Sequence, residues 1–396
     1  MNLCWITFDD VSEKSVRVIS IKNRIKYFPE SCNVTIISPD IIEDKELKSY
    51  IIKNIVITER IYGANFKSPT MPLRLIKLLK KISKEIVNFD VIITDTAYVP
   101  LYKYFSKKKV PVVMLVHGIG SEDALSKNLI KKGGLMYKLI RIMEKKAYEK
   151  CDKIIAVSEG RKEYLINEAN MHPSKISVIP NAVDPDLFNP NRSDGSIREK
   201  YNLNEDPVII FVGSFRPWHN VENIVYAFKY VIEEIPNAKL VLVGDGPTKQ
   251  KIETISKELG LEKNIIFTGR IPYQNIPSLL NASDVCVASF SKFRNEKIGP
   301  APIKVFEYMA VAKPVVSSNI KDVKEVITKY DCGILIDTDN IKKFSNAIII
   351  LLSNKEMAEK KGKNGRKAIV NYYNWKNISE ETYKIFNDLH NSTERR

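Results

Sequence analysis

The chain has 396 residues, 44% of them hydrophobic and 28% charged, a soluble globular composition at a length that suits two domains rather than one core. No stretch approaches the ~20 uncharged apolar residues of a membrane span, and Cys4, Cys32, Cys151, Cys286 and Cys332, never in a Cys-x-x-Cys pair, exclude a disulfide framework and structural zinc. The net charge is +15, and residues 1–183 hold 31 Lys+Arg against 20 Asp+Glu, so the front half holds most of the positive field.

Residues 1–8 read as a first strand and lack the pattern of a signal peptide. Further strands are predicted at 34–38, 55–58, 91–94, 110–116, 154–158 and 176–179, several nearly all apolar, as strands covered on both faces must be. Helical patterns lie between them at 73–87 and 135–150. The first sets Leu75, Ile76, Leu79, Ile82 and Ile86 on one face, with Arg74, Lys77, Lys80, Lys81 and Lys84 over much of the rest. Such a helix either packs on a core with a lysine-rich outer side or rests on anionic lipid. A break follows at 180–200, rich in Pro, Asn and Asp, residues that oppose continued helix or sheet. The alternation then restarts with strands at 208–212, 240–243, 265–268, 285–288, 314–317 and 334–336. Repeated strand–helix alternation implies parallel sheets with right-handed crossovers. The prediction is an α/β protein of two doubly wound domains facing one another.

Several turns carry chemistry. Gly213-Ser214-Phe215-Arg216-Pro217-Trp218-His219-Asn220 directly follows a predicted strand, at the carboxyl edge where open α/β sheets bind ligands. Arg216 and His219 are placed there to neutralise a diphosphate, Arg with a planar and permanently charged fork. Gly244-Asp245-Gly246-Pro247 lacks the third glycine of a dinucleotide fingerprint and reads as a tight turn. Gly299-Pro300-Ala301-Pro302 precedes a helix starting near Ile303, whose first N–H groups and dipole favour phosphate. Glu307, early in that helix, has two acceptor oxygens suited to a pair of ribose hydroxyls; alternatively it is a solvated glutamate favoured by the dipole. His117, at the end of the 110–116 strand, is a ligand candidate or simply a satisfied strand-end histidine.

Taken in order and spacing, these motifs, with Ile266-Phe267-Thr268-Gly269-Arg270, Asn281-Ala282-Ser283-Asp284 and Pro302-Ile303-Lys304-Val305-Phe306-Glu307-Tyr308-Met309, resemble the donor-binding domain of glycosyltransferase family 4. The resemblance covers most of residues 150–375 and extends more loosely to Val116-His117-Gly118 and Asn374-Trp375. It implies a GT-B fold, with Rossmann-like domains at 1–183 (acceptor) and 184–374 (donor) facing across a cleft, and a last helix at 375–396 packing back on the first. It implies retaining transfer of a hexose from a UDP- or GDP-sugar to a glycan or lipid-linked acceptor, without metal or cofactor. Donor-binding roles fall on Gly213, Ser214, His219, Gly244, Gly299, Pro300, Ala301, Ile303 and Glu307 (ribose), with Arg270 and Ile271 at the base. His117 would meet the donor sugar, and Arg216 and Lys304 would meet the leaving diphosphate.

Three departures stand out. Ser214 and His219 occupy positions where many members carry Arg and Lys, so either Arg216 and Lys304 supply the charge or leaving-group stabilisation is weaker. Gly299 replaces the first glutamate of the acidic pair, which leaves the transferred sugar open. Asp9-Asp10 stands where the family's first loop has two glycines, a candidate part of the acceptor site. These changes motivate a second reading, a GT-B binding or regulatory subunit without turnover. The unpaired cysteines predict a cytoplasmic protein, and the basic front half either sets it peripherally at an anionic inner membrane face or is an ordinary lysine-rich solvated surface. Nucleic-acid binding is not expected, since no helix-turn-helix, aromatic sheet signature or zinc spacing is present.

Overall fold

The computed structural model describes residues 1–8, 16–58, 71–192, 196–337 and 339–394. Asp9 and Asp10 lie outside the described residues. The chain divides into two compact units, Met1–Pro180 with Trp375–Arg396, and Asn181–Asn374.

The first unit holds a seven-stranded parallel sheet of β1 (Asn2–Ile6), β2 (Asn33–Ser38), β3 (Lys53–Val56), β4 (Val91–Thr94), β5 (Val112–Val116), β6 (Lys153–Ala156) and β7 (Ile176–Val178). Its order is β3-β2-β1-β4-β5-β6-β7. Strands β4 and β5 are buried along their whole length, which is why they read as unbroken apolar runs. The helix Met71–Glu85 buries Leu75, Leu78, Leu79 and Ile82. Ile76, expected on that face, is instead 40% exposed. At 100° per residue it sits a quarter-turn off the arc, and Leu78 holds the place instead. This helix therefore packs on the core and turns its lysines outward. The last helix, Trp375–Glu394, packs on Val16–Ile25: Arg24 Nη1 donates to Thr382 Oγ1 at 3.1 Å, and Phe28 meets Phe386 edge-on at 5.9 Å.

The second unit holds six parallel strands, β8 (Val208–Val212), β9 (Lys239–Val243), β10 (Ile265–Gly269), β11 (Val285–Ala288), β12 (Val315–Ser318) and β13 (Gly333–Ile336), in the order β10-β9-β8-β11-β12-β13. The period-two alternation of β8 builds two cores. Val208 and Ile210 face a layer containing the helix Ile303–Ala310, while Ile209 and Phe211 face the layer of helices Val221–Glu234 and Ile341–Ser353. In both sheets the winding direction reverses, between β1 and β4 and between β8 and β11. Such a reversal leaves a crevice beyond the strand ends, the usual ligand position in this architecture.

Candidate functional site

In the second unit the turns beyond β8, β9 and β10 are laced together by main-chain bonds. Gly213 N donates to Val243 O (3.0 Å), Gly244 N to Gly269 O (2.9 Å) and Phe215 N to Asp245 O (2.9 Å). Glycine is required at two of these points. Gly213 has φ +152°, and a Cβ there would lie 2.7 Å from Lys304 Nζ; at Gly244, φ +139°, a Cβ would run into the Gly213 carbonyl oxygen. The β8 turn then closes on Asn220, a left-handed residue at φ 45° that opens the next helix. From the far side of the reversal, Ser291 N and Asn295 Nδ2 both donate to Trp218 O, at 3.0 and 3.1 Å. Segments from both sides of the switch point are thus fixed against each other.

The helix Ile303–Ala310 starts at this place. Its first turn has no side-chain cap, and Pro302 precedes it; Ile303 N is bonded to Ala301 O at 2.9 Å, so the N–H groups left for a ligand are those that follow it in the first turn. Tyr308 anchors its inner face by accepting from Val212 N at 2.9 Å. Lys304 reaches back over Gly213, with Nζ 4.2 Å from the Phe211 ring centroid and 5.5 Å from that of Phe290. Its ammonium nitrogen is shut off from solvent and has no hydrogen-bond partner. Burial pulls its pKa down to about 7, against the opposing pull of Glu307. Glu307 is itself buried; burial pushes its pKa up to about 7, opposed by a hydrogen bond from Tyr273 and by Lys304.

His219 sits among Phe211, Trp218 and Phe290, with Nδ1 2.6 Å from Ser214 O. Burial, with Lys304 as the next contributor, lowers its pKa to about 3. The ring is therefore neutral at physiological pH, and positive charge for a diphosphate falls to Arg216, Lys304 and Arg294. The Arg216 and Arg294 guanidiniums lie 5.6 and 5.1 Å from the Trp218 ring, so Trp218 serves as their platform.

Of the residues singled out in the sequence, Gly213, Ser214, His219, Lys304 and Glu307 share one neighbourhood, and Gly244 supports it from below. Gly299 ends the helix Lys292–Ile298 at φ 66°, and with Pro300 and Ala301 it forms the link to Ile303. Ile271 packs against the core, while Arg270 is exposed beyond β10. His117 belongs to the other unit, just past β5, where its carbonyl accepts from Arg161 Nε at 2.9 Å. Tyr273, Phe211, Phe290 and Arg294 were not named from the sequence. Tyr273 follows closely on the Gly269-Arg270-Ile271 motif, the sole local signal for it; the two phenylalanines read only as core. No group of three or more His, Cys, Asp and Glu side chains suited to a metal occurs among the described residues.

Two doubly wound units, one bearing a cluster of turns with basic side chains at its switch point, define the GT-B class of glycosyltransferase. Residues 193–368 match the family model for glycosyl transferases group 1, and residues 19–187 match that for glycosyltransferase family 4. The chain is 30% identical over 309 residues to the Escherichia coli UDP-Gal:alpha-D-GlcNAc-diphosphoundecaprenol alpha-1,3-galactosyltransferase, covering 76% of this chain and 75% of that protein. It is 25% identical to the N-acetyl-alpha-D-glucosaminyl L-malate synthase of Bacillus anthracis, covering 82% and 81%. Among solved structures, Anabaena HepE in complex with UDP superposes with a TM-score of 0.76 at 17% identity, over 98% of this chain and all of that one, a likeness of fold. The chain belongs to glycosyltransferase family 4, and it is an enzyme of sugar transfer. The reading as a subunit without turnover is not favoured, since these relatives are named for catalysis.

Proposed function

We propose that the protein transfers a hexose from a UDP- or GDP-sugar, with retention of configuration, to a glycan or a lipid-linked acceptor. The observation that carries this reading is the buried, unpartnered Lys304 nitrogen, with the buried Glu307 one turn further on, at an uncapped helix start beside the Gly213 turn. A buried ammonium with no partner is costly unless something anionic completes it. A diphosphate at the helix start would do so, and would draw Arg216 onto its other oxygens. Glu307 would take the two ribose hydroxyls, Gly213, Ser214 and Gly244 would leave room for the phosphates, and Arg270 and Ile271 would border the base. Catalysis is then chiefly positioning, with Lys304 and Arg216 stabilising charge on the departing diphosphate in place of a metal. The acceptor hydroxyl would attack from the face the nucleotide leaves. Uridine is placed ahead of guanosine because the 30%-identical relative is named for UDP-galactose, and that relative's diphosphoundecaprenol acceptor supports a lipid-linked substrate. The five free cysteines accord with a reducing cytoplasm.

Thermal unfolding with UDP, GDP and ADP tests this directly. A ligand at ~100 times its dissociation constant adds about 2.7 kcal/mol. A shift with one nucleotide, lost in Glu307→Ala, is expected; no shift with any of them would overturn the proposal.

A further inference from the structure

The helix Leu135–Lys150 has an outward face that its own unit leaves unused. Ile140, Glu144, Ala147 and Tyr148 are buried and fix it to the fold. On the opposite side Leu135, Leu139 and Ile142 are 74%, 44% and 52% exposed, and Leu129, just before the helix, is 50% exposed. The spacing i, i+4, i+7 puts the three helical residues on one line. Scattered exposed leucines are ordinary on a protein surface, whereas an aligned set marks a docking face.

The exposed charges around this line are mainly positive, with Glu149 near the C-terminal end of the helix as the exposed carboxylate on it. Lys127, Lys131, Lys132, Lys138, Lys145 and Lys146 are all exposed. The sole carboxylate between residues 127 and 148 is Glu144, which is buried and accepts from Ser121 N at 2.9 Å. Arg141 is drawn inward, its Nη1 bonded to Tyr164 Oη at 2.9 Å and Glu168 Oε2 at 3.1 Å. The outward face thus combines a central aliphatic ridge with flanking ammonium groups on flexible stems.

We propose that this face docks the protein on an anionic lipid bilayer, with the helix lying in the plane of the surface. Leu135, Leu139 and Ile142 enter the boundary of headgroups and acyl chains, and the lysines reach outward to lipid phosphates. A second copy of the chain is disfavoured as the occupant, because six exposed lysines on each copy would face one another. The surface lies outside the donor site, and its test does not depend on the donor reading.

The experiment is sedimentation of the full chain with vesicles of phosphatidylcholine, alone or mixed with phosphatidylglycerol. Binding is expected only with phosphatidylglycerol and weakens as salt is raised. The double variant L139E/I142E and the double variant K145E/K146E each lower partition by about tenfold or more, while their melting temperatures and UDP-induced shifts match the wild type. K107E/K108E, equal in charge change but elsewhere on the same unit, binds nearly as well as wild type. Absence of binding by the wild type would overturn the proposal. So would an equal loss in K107E/K108E, which would reduce the effect to net charge. A concentration-dependent dimer abolished by L139E/I142E would assign the ridge to a second copy instead.

Discussion

Replacing Lys304 by methionine removes an ammonium that the unliganded protein holds against solvation while keeping most of the stem's packing. The native pKa lies near 7 against an ordinary 10.5. Between these values the unfolded chain binds the proton and the native state sheds it, so stability rises with pH across this window. The penalty is full below about pH 7 and vanishes above pH 10.5. It amounts to on the order of 4 kcal/mol at pH 7 and about 2 kcal/mol at pH 9. Lys304→Met is therefore expected to be more stable than wild type, by an advantage that roughly halves between the two pH values. Its affinity for UDP should fall at the same time, since the charge meant for the diphosphate is gone. Denaturant unfolding of both proteins at pH 7 and pH 9, with UDP titrations alongside, measures the two effects. A methionine variant less stable than wild type at both pH values, or an advantage unchanged by pH, would refute the account of Lys304 as a strained, ligand-awaiting cation.

Two further outcomes follow from the same site. At pH 8 the free amine is mostly neutral, so UDP binding should take up about 0.9 of a proton; calorimetry in buffers of different ionisation enthalpy reads this, and a buffer-independent heat would count against it. Gly244→Ala should lower stability by about 3 kcal/mol or more, because its Cβ would overlap the Gly213 carbonyl at a positive φ. Gly260→Ala, also at positive φ but with open space around it, should lower it by only ~1 kcal/mol; equal melting shifts would remove the steric argument.

The strands were legible because both sheets are covered on both faces, so each strand is a short apolar run bounded by turn residues; all thirteen lie where those runs predict them, with ends moved by one or two residues. The placement of the candidate site residues was legible for a different reason. Gly213, Gly244 and Glu307 sit at strand ends or a helix start, and these positions follow once the alternation is known. Electrostatic state was not legible. His219 looks like a cation in the sequence, yet its neutrality arises from burial against Phe211 and Trp218 of its own strand and turn and against Phe290, together with Lys304, the last two brought from distant segments. Tyr273, whose hydrogen bond steadies Glu307, is hidden likewise. Ile76 and the Leu135–Ile142 ridge expose the same limit in reverse. Helical periodicity marks which apolar residues share a face, but what covers that face is decided by the neighbouring elements.

The division of the chain at Pro180 and again at Asn374 has an effect on how the protein is made. The second unit is an insertion within the first: Val183 N donates to Tyr373 O at 3.1 Å, so its two ends lie side by side. A ribosome therefore releases a complete donor-type unit before the helix that finishes the first one. Until Thr382 and Phe386 emerge, Arg24 and Phe28 have lost their partners on the last helix. The nascent protein would pass through a stage with one unit closed and the other still open on the side that the helix Trp375–Glu394 covers. Residues 181–374, with adjoining ends and cores of their own, form the natural excisable module, whereas a truncation at residue 374 would leave the first unit unfinished.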